Sequence, residues 1–324
     1  MQAITVEDKT QDLRLTEVPT PEPGPDEVLV KVQAAGINRA DLMQRLGLYP
    51  PPAGITDIMG LEISGTIAQV GANVTGWSVG DPVCALLAGG GYAQFAVVPV
   101  GQLLPIPDGV SVVDAAALPE VASTVWSNLV VEAGLRAGEA LLVHGGGGGI
   151  GTHAIQVAKA LGAKVAVTVG SEDKAQRCRE LGADIVINYR EQDFAEELAG
   201  QVDVILDIMA ASYLGPNVKA LAPGGRLVII GMQGGLVGEL NIAELIGKRA
   251  RVIGTNVRNR PITGPGSKAE IVEAVCEGEW PLIADGSVRP VISAKLPLRD
   301  AAEGQALLDS AGSVGKVLLL PDHD

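Results

Sequence analysis

The chain has 324 residues, of which 47% are hydrophobic and only 3% aromatic, and its formal net charge is −14. This length suggests about two domains with a core each, and the acidic balance argues against a nucleic acid as the main partner. No apolar run reaches the ~18 residues of a membrane span, and no signal peptide is visible. Three widely spaced cysteines exclude a disulfide framework, so we expect a cytoplasmic protein.

The first hundred or so residues consist of short β-like runs separated by glycine and proline. In residues 28–32, valines alternate with other side chains, which is the period-two pattern of a strand. Further runs of this kind span residues 63–70 and 82–87, and the pattern ends near residues 107–109. We therefore expect an all-β unit in this part of the chain.

From about residue 115 to residue 262 the pattern changes to alternating strands and helices. A predicted helix over residues 172–181 ends at Gly182, a suitable residue to terminate it. The predicted strands include residues 165–169, 185–187, 202–206 and 227–230. Such repetition predicts an α/β fold with a doubly wound parallel sheet.

One glycine cluster in this region predicts a dinucleotide-binding site. An apolar strand ends at residue 144, and a helical pattern begins directly after the glycines. Gly146, Gly148 and Gly151 satisfy G-x-G-x-x-G: the first allows a tight turn, the second close approach to a pyrophosphate, and the third helix–strand packing. A flexible link is the alternative, but the flanking strand and helix favour the nucleotide site. We assign to it Gly146, Gly147, Gly148, Gly149, Ile150 and Gly151.

The residues after the next strand favour NADPH over NADH. An acid about 20 residues beyond the glycines normally binds the ribose hydroxyl, but this chain has Gly170-Ser171 there, followed by Lys174. The missing carboxylate makes room for a 2′-phosphate, and the lysine supplies compensating charge. Tyr189, at the end of the following strand, could reach the same phosphate. Glu172 and Asp173 weigh against this interpretation, in which case Lys174 only lies on a solvated helix face.

The last sixty residues are mixed again. Residues 268–277 and 301–310 have helical patterns, and residues 316–320 form a final predicted strand. The segment is too short for a domain of its own. We expect it to fold back on the N-terminal β unit.

The sequence predicts no metal site and no serine-hydrolase elbow. The histidines His144, His153 and His323 have no second ligand at metal-binding spacing, and no C-x-x-C pair is present. We expect His144 to pack at a strand end and His323 to lie in a frayed terminus. Residues 311–315 miss the G-x-S-x-G pattern by one residue.

Several long stretches resemble the zinc-independent quinone oxidoreductases of the medium-chain dehydrogenase/reductase superfamily. They are Gly36–Arg45, Gly47–Pro52, Met59–Gly65, Leu118–Glu120, Asn188-Tyr189 and Gly315–Val317. The resemblance runs end to end and is stronger to the tumour-suppressor-inducible branch than to zeta-crystallin. It implies a GroES-like β-rich catalytic domain, residues 1–118 and 265–324, and a Rossmann domain, residues 119–264. The cofactor would lie in the cleft between them.

The resemblance also implies roles at the acceptor end of the site. Asn38 and Tyr49 match family positions that border the nicotinamide and the substrate. Zinc alcohol dehydrogenases of the superfamily have a cysteine ligand where this chain has Asn38 and a histidine ligand where it has Leu61. The resemblance therefore implies a metal-free site. In the alternative, Asn38 is a turn residue and Tyr49 a packing ring.

At the cofactor end, Thr124 matches a residue that contacts the cofactor near its nicotinamide half. Lys174 and Tyr189 match the positions that hold the 2′-phosphate. Gly231-Met232 begins the loop that closes over the nicotinamide ribose in the family.

Without a metal to polarise a substrate oxygen, the acceptor must already be electrophilic. A quinone qualifies, and Asn38 and Tyr49 are the candidate donors to the oxyanion that develops after hydride transfer. An α,β-unsaturated carbonyl makes the same demands, so quinone and enone reductase both remain open. A low-turnover nucleotide-binding redox sensor is a third possibility. The resemblance further suggests a homodimer joined at sheet edges, through the predicted strand Val252–Val257.

Overall fold

A computed structural model describes residues 1–7, 10–308, 310 and 312–323 of the chain. Ala311, the first residue of the G-x-S-x-G near-match, lies outside the described residues. Two compact units are present: residues 1–123, 257–285 and 290–324 form the first, and residues 124–256 and 286–289 form the second.

The limits of these units lie five residues after the predicted boundary 118/119 and eight residues before the predicted boundary 264/265, and residues 286–289 also belong to the second unit. The backbone N–H of Glu120 donates to the Glu62 carboxylate over 2.9 Å, so the start of the helix at residue 119 belongs to the first unit. Arg258 donates to the Ala88 carbonyl over 2.8 Å, which holds the segment after residue 256 in the same unit. Long-range hydrogen bonds of this kind have no local sequence signal.

The described residues of both units contain fifteen strands and eleven α-helices. The strands are β1 (Gln2–Val6), β2 (Leu13–Glu17), β3 (Glu27–Gly36), β4 (Glu62–Val70), β5 (Pro82–Leu86), β6 (Phe95–Pro99), β7 (Leu103–Pro105), β8 (Ala140–His144), β9 (Lys164–Val169), β10 (Ile185–Asn188), β11 (Val202–Asp207), β12 (Leu221–Ile229), β13 (Arg251–Gly254), β14 (Ile292–Pro297) and β15 (Lys316–Leu320). The α-helices are α1 (Arg39–Arg45), α2 (Val112–Ala115), α3 (Pro119–Trp126), α4 (Gly149–Ala160), α5 (Glu172–Glu180), α6 (Phe194–Glu197), α7 (Leu214–Ala220), α8 (Ile242–Lys248), α9 (Lys268–Gly278), α10 (Trp280–Ala284) and α11 (Ala301–Leu308). Short 3₁₀ turns lie at Val100–Gln102, Ala210–Tyr213 and Leu298–Asp300, and a π-helix at Ser127–Glu132 follows α3.

The first unit is built on a seven-stranded sheet with the order β14-β15-β3-β4-β5-β7, in which β6 also pairs with β3. Val28, Val30 and Val32 of β3 are fully buried, as their alternation predicts. β15 pairs antiparallel with β3, so the C-terminal segment folds back on the N-terminal unit. The prediction that His323 is frayed is wrong, because its Nε2 lies 2.6 Å from the Val32 carbonyl oxygen.

The second unit is a six-stranded parallel sheet with the order β10-β9-β8-β11-β12-β13. The chain leaves β8 for β9 on one side and returns to β11 on the other, so the carboxyl ends of β8 and β11 form a topological switch point, where ligands bind in such sheets. The α/β fold class, with a β-rich domain and a doubly wound parallel sheet, is confirmed. β13 ends at Gly254, three residues before the predicted strand does, because the chain then crosses into the first unit.

Each unit has an aliphatic core of its own. Val30, Ile63 and Leu319 are among the buried residues of the first, and Leu142, Ile205 and Leu227 among those of the second. Within the described ranges, no helix is both long enough and apolar enough to cross a membrane.

Candidate active site

The glycine loop after β8 is packed too closely for side chains at two of its three motif positions. A Cβ atom at Gly146 would lie 2.8 Å from Cβ of Val167 and 3.1 Å from Sγ of Cys178. A Cβ atom at Gly151 would overlap the carbonyl oxygen of Gly145. Gly151 thus allows α4 to approach the end of β8, the role its place in the motif predicts.

The tight turn lies one residue earlier than the motif predicts. Gly145 has a φ of 77°, whereas Gly146 has no positive φ. Gly146 is needed for a different reason, because its Cα packs against β9. We therefore correct the role of Gly146 from turn residue to close-packing residue.

The start of α4 is open toward solvent. Gly148 is the N-cap of the helix and no side chain caps it. A Cβ atom at Gly148 would find its nearest neighbour, the Gly145 carbonyl oxygen, 3.5 Å away. Gly149, Ile150 and Gly151 begin the helix, where the N–H groups and the helix dipole favour an anion. This arrangement fits a pyrophosphate.

Gly170, Ser171, Lys174 and Tyr189 lie together at the carboxyl ends of β9 and β10. Ser171 is the N-cap of α5 and accepts the Lys174 backbone N–H over 3.5 Å. A Cβ atom at Gly170 would clash with the Tyr189 hydroxyl, and one at Gly147 would lie 2.9 Å from Cδ of Lys174. The stem of Lys174 therefore lies against the glycine loop, and Tyr189 occupies the place of a side chain at Gly170.

Of the two acids that weigh against a phosphate here, one is already paired. Glu172 accepts a hydrogen bond of 2.6 Å from Arg179 on the same helix. The arginine places a positive charge beside Glu172 and so offsets part of its negative charge.

A buried chain of hydrogen bonds joins the ends of β8 and β11. His144 Nε2 lies 2.7 Å from Oδ1 of Asn217, and an amide oxygen only accepts, so Nε2 carries the proton. His144 Nδ1 lies 3.0 Å from the Thr168 hydroxyl, which also accepts the Gly145 N–H over 3.3 Å. On the other side, Asn217 Nδ2 donates to Asp207 Oδ2 over 3.0 Å. The glycine loop is thus connected to the end of β11.

Asp207 extends this chain into the next loop. It accepts the backbone N–H groups of Met209 over 2.7 Å and Ala210 over 3.0 Å. Burial lowers the pKa of His144 to about 4 and raises that of Asp207 to about 6. The histidine is therefore neutral at physiological pH. His144 packs at a strand end, as the sequence predicts. The sequence did not predict its hydrogen bonds to Thr168 and Asn217.

Thr124 and Gly231 lie on two further segments of the second unit. Thr124 is buried, and its carbonyl oxygen accepts from Nδ2 of Asn128 over 2.7 Å. A Cβ atom at Gly231 would lie 2.9 Å from the Ile208 carbonyl oxygen, so this loop packs against the end of β11. Met232 is exposed. Their contacts with a cofactor remain predictions.

In the first unit, Tyr49 lies on a loop that a distant arginine holds. Arg258 donates to the Tyr49 carbonyl oxygen over 3.2 Å, to the Ala88 carbonyl oxygen over 2.8 Å and to the Gln44 side-chain oxygen over 2.6 Å. Its guanidinium carbon also lies 5.1 Å from the centre of the Tyr49 ring. The sequence reasoning missed Arg258, which no motif marks.

The side chain of Asn38 is directed into its own unit. Its Nδ2 donates to Glu62 Oε1 over 3.0 Å and approaches the Gly36 carbonyl oxygen at 3.5 Å. Its Oδ1 accepts from Lys316 Nζ over 2.6 Å, and the same ammonium is paired with Glu62 at 2.5 Å. Both amide hydrogens of Asn38 therefore have acceptors within the first unit.

Beneath Asn38 lies a fully buried acid. Asp41 accepts the Asn38 N–H over 2.8 Å, the Gly60 N–H over 3.1 Å and the Tyr92 hydroxyl over 2.9 Å. Burial raises the pKa of Asp41 to about 6, although these hydrogen bonds and the charge of Lys316 lower it. The start of α1 therefore rests on a titratable group.

The residues at the zinc-ligand positions of the superfamily do not fit a metal. Leu61 is a buried aliphatic side chain, and the Asn38 amide is bonded as described. In the part of the chain that the structure describes, no group of three or more His, Cys, Asp and Glu side chains is arranged to hold a metal ion.

Comparison with known proteins agrees with this architecture. Residues 24–108 match the alcohol dehydrogenase GroES-like domain, and residues 149–273 match the zinc-binding dehydrogenase family. A quinone oxidoreductase of Rattus norvegicus is 33% identical over 94% of this chain and 92% of its own length. The chain belongs to the quinone oxidoreductase family of the medium-chain dehydrogenase/reductase superfamily.

Two further relatives of this oxidoreductase are informative. The acryloyl-coenzyme A reductase of Sulfurisphaera tokodaii is 31% identical over 99% of this chain and 100% of its own length. The crystal structure of an Escherichia coli quinone oxidoreductase complexed with NADPH is 31% identical, with a TM-score of 0.87 over 99% of this chain and 100% of that one. The protein is thus an oxidoreductase, and its relatives include both quinone oxidoreductases and an acryloyl-coenzyme A reductase.

Proposed function

We propose that this oxidoreductase transfers hydride from NADPH to a quinone. The observation that carries the cofactor assignment is the group at the end of β9, where Lys174 lies against the glycine loop and Gly170 leaves no carboxylate. The NADPH in the E. coli structure supports it. When bound, NADPH supplies the hydride. The glycine loop would hold its pyrophosphate, and Lys174 and Tyr189 its 2′-phosphate.

On the acceptor side, Tyr49 would donate its hydroxyl to the oxygen on which negative charge develops. Pro50, Pro51 and Pro52 follow it and restrict the backbone of the loop, and Arg258 fixes the loop carbonyl. A donor held in place before reaction contributes without reorganisation. No proton from a metal-bound water is required, because a quinone is already electrophilic.

A second candidate acceptor is an α,β-unsaturated carbonyl, including an acyl-coenzyme A thioester. The S. tokodaii acryloyl-coenzyme A reductase, which is similar over its whole length, favours this alternative. The chemistry required of Tyr49 is the same, since hydride addition again leaves an oxyanion.

Steady-state oxidation of NADPH and NADH with a panel of quinones and enones tests these assignments. We expect turnover with NADPH and higher kcat/KM for quinones than for enones. Higher values for enones would establish the second candidate. NADPH binding without turnover on either panel would contradict both and support a redox sensor.

We propose that the reaction needs no metal, since Asn38 and Leu61 stand where zinc enzymes of the superfamily have ligands. Protein treated with a chelator should keep full reductase activity, and elemental analysis should find no stoichiometric zinc. Activity that is lost on chelation and returns with zinc would contradict this proposal.

Tyr49→Phe should lower kcat/KM for the quinone by about tenfold, at the low end of the 1–3 kcal/mol expected for a lost donor, because quinones are intrinsically reactive. The dissociation constant of NADPH should barely change, since the hydroxyl acts on the acceptor. Unchanged turnover together with a lower melting temperature would mean that the ring only packs.

We further propose a cytoplasmic homodimer joined at the edge of the second unit's sheet. β13 is the terminal strand in the sheet order, and Val252, Ile242 and Ile246 near this edge are exposed. Cys84, Cys178 and Cys276 are unpaired, as expected in a reducing compartment. Sedimentation equilibrium should give twice the chain mass of 33.2 kDa, and a monomer at micromolar concentration would contradict the dimer.

A further inference from the structure

Arg258 differs in its partners from two other buried cations of the described residues, Arg226 and Lys316. Arg226 is paired with the Glu139 carboxylate at 2.7 Å, and Lys316 with Glu62 at 2.5 Å. Arg258 is only 5% exposed, yet its guanidinium contacts two carbonyl oxygens, an amide oxygen and the face of the Tyr49 ring. Among residues 1–7, 10–308, 310 and 312–323, no carboxylate contacts it.

The surroundings of Arg258 add to its positive charge. Lys268 is also buried, and its Nζ donates to the Arg260 carbonyl oxygen over 2.5 Å. The charge of Arg258 and burial both lower the pKa of Lys268, with burial the larger cause. Asp41 is close enough for its charge to act on Arg258, but it accepts hydrogen bonds from other groups. A buried cation without a carboxylate is costly, and in a chain of net charge −14 many acids were available to pair with it.

We propose that Arg258 is a positioning residue that acts through Tyr49. It fixes the loop carbonyl and the ring, and its unpaired charge supports the Tyr49 hydroxyl as a donor when negative charge develops on the acceptor oxygen. The inference rests on the proposed role of Tyr49 in the reaction.

Two properties of the contact carry this role. The forked guanidinium binds three acceptors of the loop region at once, which a single ammonium group cannot do with the same geometry. A cation near the face of an aromatic ring is attracted to it and stabilises negative charge that shifts onto the phenol. A carboxylate partner would cancel this second effect.

Two matched substitutions test the geometry. Arg258→Lys should lower kcat/KM for the best acceptor about tenfold and leave the dissociation constant of NADPH unchanged. Arg226→Lys, at a cation of similar burial in the second unit, should lower only the melting temperature. In a Tyr49→Phe background, Arg258→Lys should have little further effect on kcat/KM. If the fold-losses in kcat/KM of Tyr49→Phe and Arg258→Lys multiply in the double variant, Arg258 acts independently of the hydroxyl and the inference is wrong.

A titration that needs no acceptor and no cofactor tests whether the charge of Arg258 acts on the Tyr49 phenol. Ultraviolet difference spectra, with Tyr49→Phe subtracted, should show that Tyr49 ionises at a pH on the order of one unit higher in Arg258→Met than in the wild type. Arg258→Gln replaces Arg258→Met if that variant does not fold. An unchanged titration would overturn the inference. A wild type that reduces neither quinones nor enones would instead overturn the proposed function, and the titration would still decide the role of Arg258.

Discussion

Replacing Lys174 by alanine should weaken NADPH binding by about ten- to a hundredfold, equivalent to 1.5–3 kcal/mol for one charge-assisted contact. NADH binding should change little, because NADH lacks the 2′-phosphate. The stem of Lys174 lies against Gly147 of the glycine loop, which is the loop proposed to hold the pyrophosphate. Gly170 and the Tyr189 hydroxyl occupy the place of the usual carboxylate.

Isothermal titration with both cofactors measures the effect directly. Arg177→Ala is the matched control, because it removes one positive charge from the same helix at a residue that is paired with Glu180 over 2.9 Å. We expect the control to bind both cofactors as the wild type does. Equal weakening of NADPH and NADH in Lys174→Ala would show that the lysine does not recognise the phosphate.

The sequence was most informative where the physics is local. Glycine spacing, strand period and the helix start at Gly149 depend on neighbours within a few residues, and they predicted the glycine loop before this helix and the parallel sheet. Even there, the motif misplaced the positive φ, which belongs to Gly145 and not to Gly146. Glycine spacing predicts that a turn occurs. Which glycine adopts the positive φ depends on the atoms that pack against each Cα.

The acceptor side was less predictable because its contacts join distant parts of the chain. Arg258 lies 209 residues after Tyr49, and no residue type or spacing near either one indicates the contact. The orientation of Asn38 likewise depends on Lys316, which is 278 residues away. A family resemblance assigns a role to a position, but the donors that remain available there follow from tertiary contacts.

Asp41→Asn should change how the stability of the protein depends on pH. Burial raises the pKa of Asp41 from 3.8 to about 6. Between these values the folded protein holds a proton that the unfolded chain has lost, so the stability that this group contributes is present below pH 3.8 and is lost as the pH rises to 6. A shift of about two units corresponds to about 3 kcal/mol.

Urea unfolding of the wild type and Asp41→Asn between pH 4 and pH 7 measures this difference. We take the free energy of unfolding of the variant minus that of the wild type. This difference should be about 3 kcal/mol higher at pH 7 than at pH 4. The asparagine amide cannot accept all three hydrogen bonds of the carboxylate, which adds a loss that is independent of pH. Asp207 and His144 also titrate in this range, with slopes of opposite sign, but both proteins contain them and their contributions cancel in the difference. Parallel stability curves would mean that Asp41 ionises as readily in the folded protein as in the unfolded chain, which would contradict this prediction.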